Sequence, residues 1–521
     1  MDTRESTRIA GRGAEASSSV AVSPELPSSG REDTIQPQGS GLERVVLAAQ
    51  ARFDTRFWRI VGCLVSLAVL GWGLHRELAP GKYLIPFTDF QSFYAAALNV
   101  RHGVDPYQQA IAWVRTYSPT GNGTLFATKS YVYPPFFALL LAPLTFLSTL
   151  TALQIWDVFN LLFMIGAIYA AFRIAGKRPS AFSVLALAAI FSLTAPVRKE
   201  WFLGQTDIFL LCLICFAFWA RQANQRALAG VLLALACVTK PTFIVLVVFL
   251  LWKREYKFAI TTAISFLVLL IGPFLWLGGQ TWSDQLTVWR FWSNQYVAYA
   301  QNIAPKGVLA RLFTVNPVVR PITAAPILVT VGWLLIVLAI VVLTVAVVSP
   351  APLRRDTRSL LEIGLVISAL YLMSPLSEWP YLLVLAIPLI ACYCWLSEGR
   401  WTRPSARLAV LGAVVITVLL MQPLTTIQYY FLKHVQGTSL MADVYVVLAP
   451  AYLYGLILAF ALQFHVMSRI THRSTRSAVR QVVRDAPSLL GQWVADTRAA
   501  LPWGPRTVEQ ASEPAAGVSV E

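Results

Sequence analysis

The chain has 521 residues, 56% of them hydrophobic and only 13% charged, with a mean hydropathy of +0.60. Soluble domains carry about 25% charged residues, so this composition excludes a soluble globular protein and indicates a polytopic membrane protein. The net charge of +16 comes from Lys and Arg that punctuate apolar runs and fill the two tails, a pattern of membrane orientation and not of a nucleic-acid-binding face.

Residues 1–50 are rich in Ser, Gly, Glu, Arg and Pro and read as a disordered cytoplasmic tail. A domain of membrane helices is expected over 51–467. Residues 468–521 form a second basic cytoplasmic tail, with an interfacial helix expected within 474–501. The first span, about 57–74, follows Arg52, Arg56 and Arg59, which places the N-terminus inside and the next loop outside. That loop opens with IPFTDFQSFYAAALNVRHGVDPY (85–107). Asp89 stands there at or near the start of a short amphipathic helix carrying Phe90, Phe93, Tyr94 and Ala97, which Gly103 and Pro106 stop. An Asp in this position commonly caps the helix. It is also an acid beside a membrane.

YPPFFALLLAPLTFL (133–147) holds three prolines and is too short to cross, so it reads as interfacial or re-entrant. Further spans are expected near 151–172, 181–195, 206–220, 227–238, 241–252, 258–277, 323–348, 359–374, 380–397, 408–426 and 444–466. With the first, these make twelve, both ends inside. The basic groups Arg173/Lys177/Arg178, Arg221/Arg226, Lys253/Arg254/Lys257 and Arg354/Arg355/Arg358 then fall on the inner side. Spans 227–238 and 241–252 are short and read as a hairpin turning at Thr239-Lys240-Pro241.

The unusual polar residues collect on the outer side: Asp89, Arg198, Lys199, Glu200, Gln205, Asp207, Lys240, Asp284, Arg290, Asn294, Ser374, Ser377 and Glu378. Ionisable groups at the edge of apolar spans are costly and face a cavity or a partner, so together they suggest an outward-facing polar site. The competing account is interfacial charge with snorkelling Lys and Arg. The six cysteines lie within apolar stretches and the five histidines form no cluster, so no metal or redox role is expected. A carboxylate suits general-base work on a sugar hydroxyl, and Lys and Arg suit a lipid-linked phosphate.

TDFQSFYAAA (88–97) with HGVDPY (102–107) resembles the first-loop motif of glycosyltransferase family 87. YPPFFALLLAPL (133–144), GQTDIFLLCL (204–213), TKPTFIVLVV (239–248) and SPLSE (374–378) resemble its later landmarks, in order over about 57–400. The resemblance implies an all-α, GT-C-like bundle of about twelve transmembrane helices with short interfacial helices in the outer loops. It also implies an enzyme of a bacterial plasma membrane that moves a sugar, mannose above all, from a polyprenyl-phosphate donor to a glycolipid or glycan acceptor on the outer, periplasmic face, with inversion and without a metal or other cofactor. In that scheme Asp89 is the general base. Lys240, Arg198 and Arg290 contact the donor phosphate, while Glu378, Gln205, Asp207 and Tyr94 line the substrate site. The chain departs from the family pattern after SPxS, where histidines are frequent and Trp379, Pro380 and Tyr381 stand here, which leaves the donor sugar open. A transporter or lipid flippase also fits the span count, and a non-catalytic scaffold is the third reading. Asn122-Gly123-Thr124 matches a glycosylation sequon, relevant only in a eukaryotic lumen.

Overall fold

The computed structural model describes residues 55–78, 89–116, 131–295, 297–298, 302–316, 321–398, 404–420 and 451–470. All of these lie within Phe53–Glu521. The tail expected over 1–50, the interfacial helix expected within 474–501 and the sequon at Asn122 lie outside them. Among the described residues the regular elements are all helical; the β contact is an isolated antiparallel bridge between Asn302 and Glu378.

The first helix, α1 (Arg56–Leu78), is the expected first span. After it come α2 (Asp89–Arg101), α3 (Gln108–Thr116) and α4 (Pro135–Leu141), the last continued by a 3-10 turn, Ala142–Phe146. The chain then passes through α5 (Thr149–Ile174), α6 (Ala181–Ser192), α7 (Ala195–Leu203), α8 (Asp207–Gln222) and α9 (Arg226–Thr239). A 3-10 turn at Pro241–Ile244 leads into α10 (Val245–Trp252), then α11 (Tyr256–Leu277), α12 (Gly279–Gln295) and α13 (Pro305–Phe313). The remaining elements are α14 (Pro326–Val347), α15 (Thr357–Met373), a 3-10 helix at Trp379–Leu385, α16 (Ala386–Leu396), α17 (Pro404–Leu420) and α18 (Ala451–Ile470).

Local chemistry sets several of these boundaries. Ser148 and Ser180 accept the backbone N–H of Thr151 and Ser183 at 3.2 and 3.1 Å, capping α5 and α6, and Asp356 caps α15 through Ser359 N–H at 2.8 Å. Gly204, at φ +65°, ends α7 in the left-handed conformation that glycine adopts without cost.

Among the described residues, five helices are long and apolar enough to cross a membrane: α1, α5, α11, α14 and α18, the last from Tyr452. A sixth span is possible if α7 and α8 count as one, although they are bent by 112° at their junction. The other expected spans form shorter elements. α6, with 12 residues, is about 18 Å long, against a hydrocarbon core of about 30 Å. Among the described residues, length and composition thus support five or six spans, which does not confirm the twelve expected from the sequence.

α15 is buried almost all round and forms the centre, packed by α16 and α18. α14 is its opposite, with Leu334, Leu335 and Leu338 more than half exposed. A stripe of that kind is untenable in water but ordinary against lipid. α5 packs on α8, α8 on α9, and α9 on α11. The last pair meets at Gly230, where a Cβ would lie 2.5 Å from Thr261 Cγ2.

The helices alternate in direction and gather polar groups at two ends. At one end Gln222 donates to the carbonyls of Ile174 and Arg354 (3.1 and 3.0 Å), Lys253 pairs with Glu362 (2.6 Å), and Arg221 pairs with Glu255. The sequence elements that meet there are the basic loops predicted to be inner. Asp89, Gln205, Lys240 and Glu378 gather at the other end.

Candidate active site

The bend between α7 and α8 is the base of the site. Its backbone is held from both sides: Gln205 N–H donates to Glu200 C=O at 3.0 Å, and the Trp156 indole donates to the carbonyls of Gly204 and Gln205 at 3.1 and 3.2 Å. Glu200, fully buried, accepts the N–H groups of Asp207 and Ile208 (the latter at 3.2 Å) and so caps α8 from the preceding helix. This frees the Asp207 carboxylate to turn elsewhere. It takes Lys240 Nζ on both oxygens at 2.7 Å. Lys240 Nζ also lies 3.5 Å from the centre of the Tyr381 ring, a cation held by a carboxylate and an aromatic face together.

Asp89 is the first residue of α2, where a negative charge is favoured by the helix dipole. Its carboxylate accepts the Gln205 side-chain amide, and the Gln205 carbonyl accepts the Tyr133 hydroxyl at 3.1 Å. Enclosure by protein pushes Asp89 up to about 6, although the Gln205 hydrogen bond and the charges of Lys199 and Lys240 pull the other way. Glu378, at the head of the 3-10 helix, is pushed up to about 7, first by burial and then by the charge of Asp89, with Lys240 and Lys199 opposing. Two half-buried carboxyls and two lysines therefore feel one another across elements far apart in sequence.

The loop bearing Glu378 is pinned by Asn302. Its side-chain oxygen accepts Ser377 N–H and Ala304 N–H, each at 3.0 Å, and its amide donates to Pro375 C=O at 3.1 Å. Nothing in the sequence marks Asn302. Lys199 is among the outer polar residues singled out in the sequence and Tyr133 stands in a quoted stretch, but no role for Tyr133 follows from spacing.

The remaining expected residues stand as follows. Asp207 is fully enclosed, so it reaches a substrate only through Lys240. The Tyr94 hydroxyl donates to Leu147 C=O at 2.7 Å and so ties α2 to the turn after α4. Arg198 is half-buried on α7, and Arg290 lies exposed on α12; neither takes part in the hydrogen bonds and ion pairs just described. α12 itself, left as outer loop by the sequence reading, docks on the first loop, with Trp289 donating to Val132 C=O at 2.6 Å.

Residues 131–375 match the model of glycosyltransferase family 87. Over this stretch the chain is similar to that family. The stretch takes in Tyr133, the α7–α8 bend and Lys240, while Asp89 lies well before its start and Glu378 just past its end. An alpha-(1->3)-arabinofuranosyltransferase of Mycolicibacterium smegmatis is 28% identical over 192 residues, 36% of this chain and 41% of that protein. A polyprenol-phosphate-mannose-dependent alpha-(1-2)-phosphatidylinositol pentamannoside mannosyltransferase of Mycobacterium tuberculosis is 25% identical over 304 residues, 56% of this chain and 63% of that protein. The chain thus spans less than two thirds of the length of both curated relatives.

Proposed function

We propose that the chain is a membrane glycosyltransferase that moves a sugar from a polyprenyl-phosphate donor to a glycolipid or glycan acceptor, with Asp89 as general base. Mannose is the first donor sugar to test and arabinofuranose the second, since the two curated relatives are named for different sugars. The fold is proposed to be GT-C-like over 51–467, with about twelve transmembrane helices and short interfacial helices in the outer loops. The site is proposed to face the outside of a bacterial plasma membrane.

The observation that carries this reading is the meeting of Asp89, Glu378, Lys199 and Lys240 at one end of an apolar bundle. In the proposed reaction an Asp89 oxygen takes the proton of the acceptor hydroxyl. The hydroxyl oxygen forms the new bond to the anomeric carbon from the face opposite the phosphate, and the bond from that carbon to the phosphate oxygen breaks. Polyprenyl phosphate leaves with one more negative charge than the diester had. A fixed cation stabilises that developing charge more than it stabilises the bound donor, which is the condition for accelerating the step. Lys199 and Lys240 are the cations positioned for this; Lys240 is the more rigid because Asp207 and Tyr381 hold it. Glu378 is proposed to bind sugar hydroxyls, and near neutral pH it is able to donate as well as accept. Arg198, Arg290 and Tyr94 are weaker candidates.

The test uses purified protein with radiolabelled polyprenyl-phosphate mannose and, separately, the arabinofuranosyl counterpart, offered with membrane glycolipids. Wild type should form labelled glycolipid from one of them. Asp89→Asn, checked for monodispersity in detergent, should lose roughly a hundred- to ten-thousandfold in rate, the usual worth of a general base. Equal rates in the two proteins would remove Asp89 from the role. Labelled donor that crosses vesicle membranes unchanged, with no new glycosidic bond, would favour a transporter.

A further inference from the structure

Gln205 was expected to line the substrate site, but its side chain is committed elsewhere. It is 6% exposed, and both ends of its amide are engaged: the nitrogen donates to Asp89 Oδ2, and the oxygen accepts from Tyr133. The Tyr133 hydroxyl in turn lies 3.4 Å from the Thr206 hydroxyl, which donates to it. Each donor in this series points the same way, from Thr206 through Tyr133 and Gln205 to Asp89. The direction is forced by chemistry. A phenol has one proton, and an amide oxygen can only accept it. With the amide oxygen turned to Tyr133, the amide nitrogen must face the carboxylate; the reverse orientation would set an amide oxygen against an anion.

The parts of this series are fixed before any substrate arrives. The Gln205 backbone is clamped by Glu200 and Trp156. The Tyr133 ring is enclosed by Phe93 and Phe137, with ring centres 5.0 and 5.4 Å away. Asp89 has two carboxylate oxygens, and Gln205 takes one of them.

We propose that Gln205, oriented by Tyr133, is a positioning residue for Asp89: its amide holds Oδ2 and leaves Oδ1 as the oxygen that receives the acceptor's proton. This rests on the reading of Asp89 as the base. The orienting contact itself does not, and the two are tested apart. The amide donor also favours the ionised carboxylate, so losing it makes Asp89 hold its proton to higher pH.

The first readout needs no substrate. The infrared carboxyl band that disappears in Asp89→Asn is titrated with pH in wild type, Gln205→Leu and Tyr133→Phe. The midpoint should rise by about one pH unit in Gln205→Leu, the size expected for a hydrogen bond to a charged group, and by less in Tyr133→Phe. The second readout is transfer from labelled polyprenyl-phosphate sugar. Gln205→Leu should lower turnover roughly ten- to a hundredfold, the effect of a misplaced reacting group, with donor KM within about threefold. The double variant should be no worse than Gln205→Leu alone, because Tyr133 acts through Gln205. An unmoved midpoint in both single variants overturns the proposal, as does a loss confined to KM or an effect of Tyr133→Phe that multiplies with Gln205→Leu. If Gln205→Leu fails to fold, an unmoved midpoint in Tyr133→Phe is sufficient to overturn it. A shifted midpoint with an active Asp89→Asn would instead keep the contact and sink the base assignment.

Discussion

Asp89 has to carry a negative charge in a place that resists one. Burial pushes it from 3.8 to about 6, and Gln205, Lys199 and Lys240 recover only part of that rise. A base works when deprotonated, so kcat/KM for sugar transfer should climb with pH and reach its half-point near 6 instead of near 3.8. A pH–rate profile between about pH 4 and 8 checks this. The same displacement has a cost in stability, and its sign can be worked out. The folded protein holds this proton more tightly than the unfolded chain does. The stability the group contributes is therefore complete below 3.8 and is lost as pH rises through about 6. Asparagine keeps the shape and an acceptor for Gln205 but never ionises. Asp89→Asn should thus be more stable than wild type above pH 7, by on the order of 2 kcal/mol after allowance for partial exposure. The advantage should vanish by about pH 4. Thermal unfolding of the two proteins in detergent at both pH values measures it. A variant that is inactive yet more stable is the signature of a residue kept for chemistry and not for packing.

The α7–α8 bend shows how an element puts distant residues in register. Gly204 has φ +65°, and a Cβ there would sit 2.6 Å from Phe90 Cβ and 2.8 Å from Leu153 Cδ1. Phe90 follows Asp89 on α2, so α2 and the bend touch at the one residue that has no side chain. Gly204→Ala would cost about 1–2 kcal/mol in backbone conformation and about 1–3 kcal/mol in overpacking, and it would push α2 away from Gln205. The expected outcome is a clearly lower unfolding temperature and a loss of transfer rate in the protein that still folds. Gly71, on α1, has open space around it, so Gly71→Ala should be neutral or slightly stabilising, by up to about 1 kcal/mol. The sequence made part of this legible. Apolar length located α1, α5, α11 and α14, and Asp89, Gln205, Lys240 and Glu378 were all singled out as polar residues that belong together. The pairings were not legible, because they join segments more than thirty residues apart: Asp207 with Lys240, and Gln205 with both Asp89 and Tyr133. α12 escaped because GQTWSDQLTVWRFWSNQ mixes polar and aromatic residues and lacks the apolar length that marks a span. Asn302 escaped because its work is done through backbone groups, which leave no pattern in a sequence.

The molecule has two polar ends of different character. At the Asp89 end, carboxyls with raised proton affinity stand beside a few lysines, and their charges are compensated only in part. At the other end basic residues predominate, and Asp356 caps α15 while Glu362 with Lys253 and Glu255 with Arg221 form ion pairs buried in the bundle, beside a more exposed pair of Glu398 with Lys177. Glu362, inside α15, and Ser374, at its C-terminal end, lie twelve residues apart, roughly 18 Å along a helix, so the two ends are well separated. Buried pairs of this kind add little net stability but are costly to break, so they suit an end that holds the bundle in shape while the far end handles charge. The excess of Lys and Arg in short loops sets membrane orientation, and this locked end is proposed to face the cytoplasm. A polyprenyl-linked donor is the logical sugar source on the opposite face, where nucleotide sugars are absent, so orientation and donor chemistry stand or fall together. Single cysteines in a background without the native ones test this directly. Ser293→Cys, exposed on α12, should react with a membrane-impermeant maleimide in intact cells, and Arg178→Cys, exposed beyond α5, only after permeabilisation. The reverse pattern would put the carboxyls on the cytoplasmic side, where a soluble nucleotide sugar becomes the simpler donor and the lipid-linked mechanism loses its rationale.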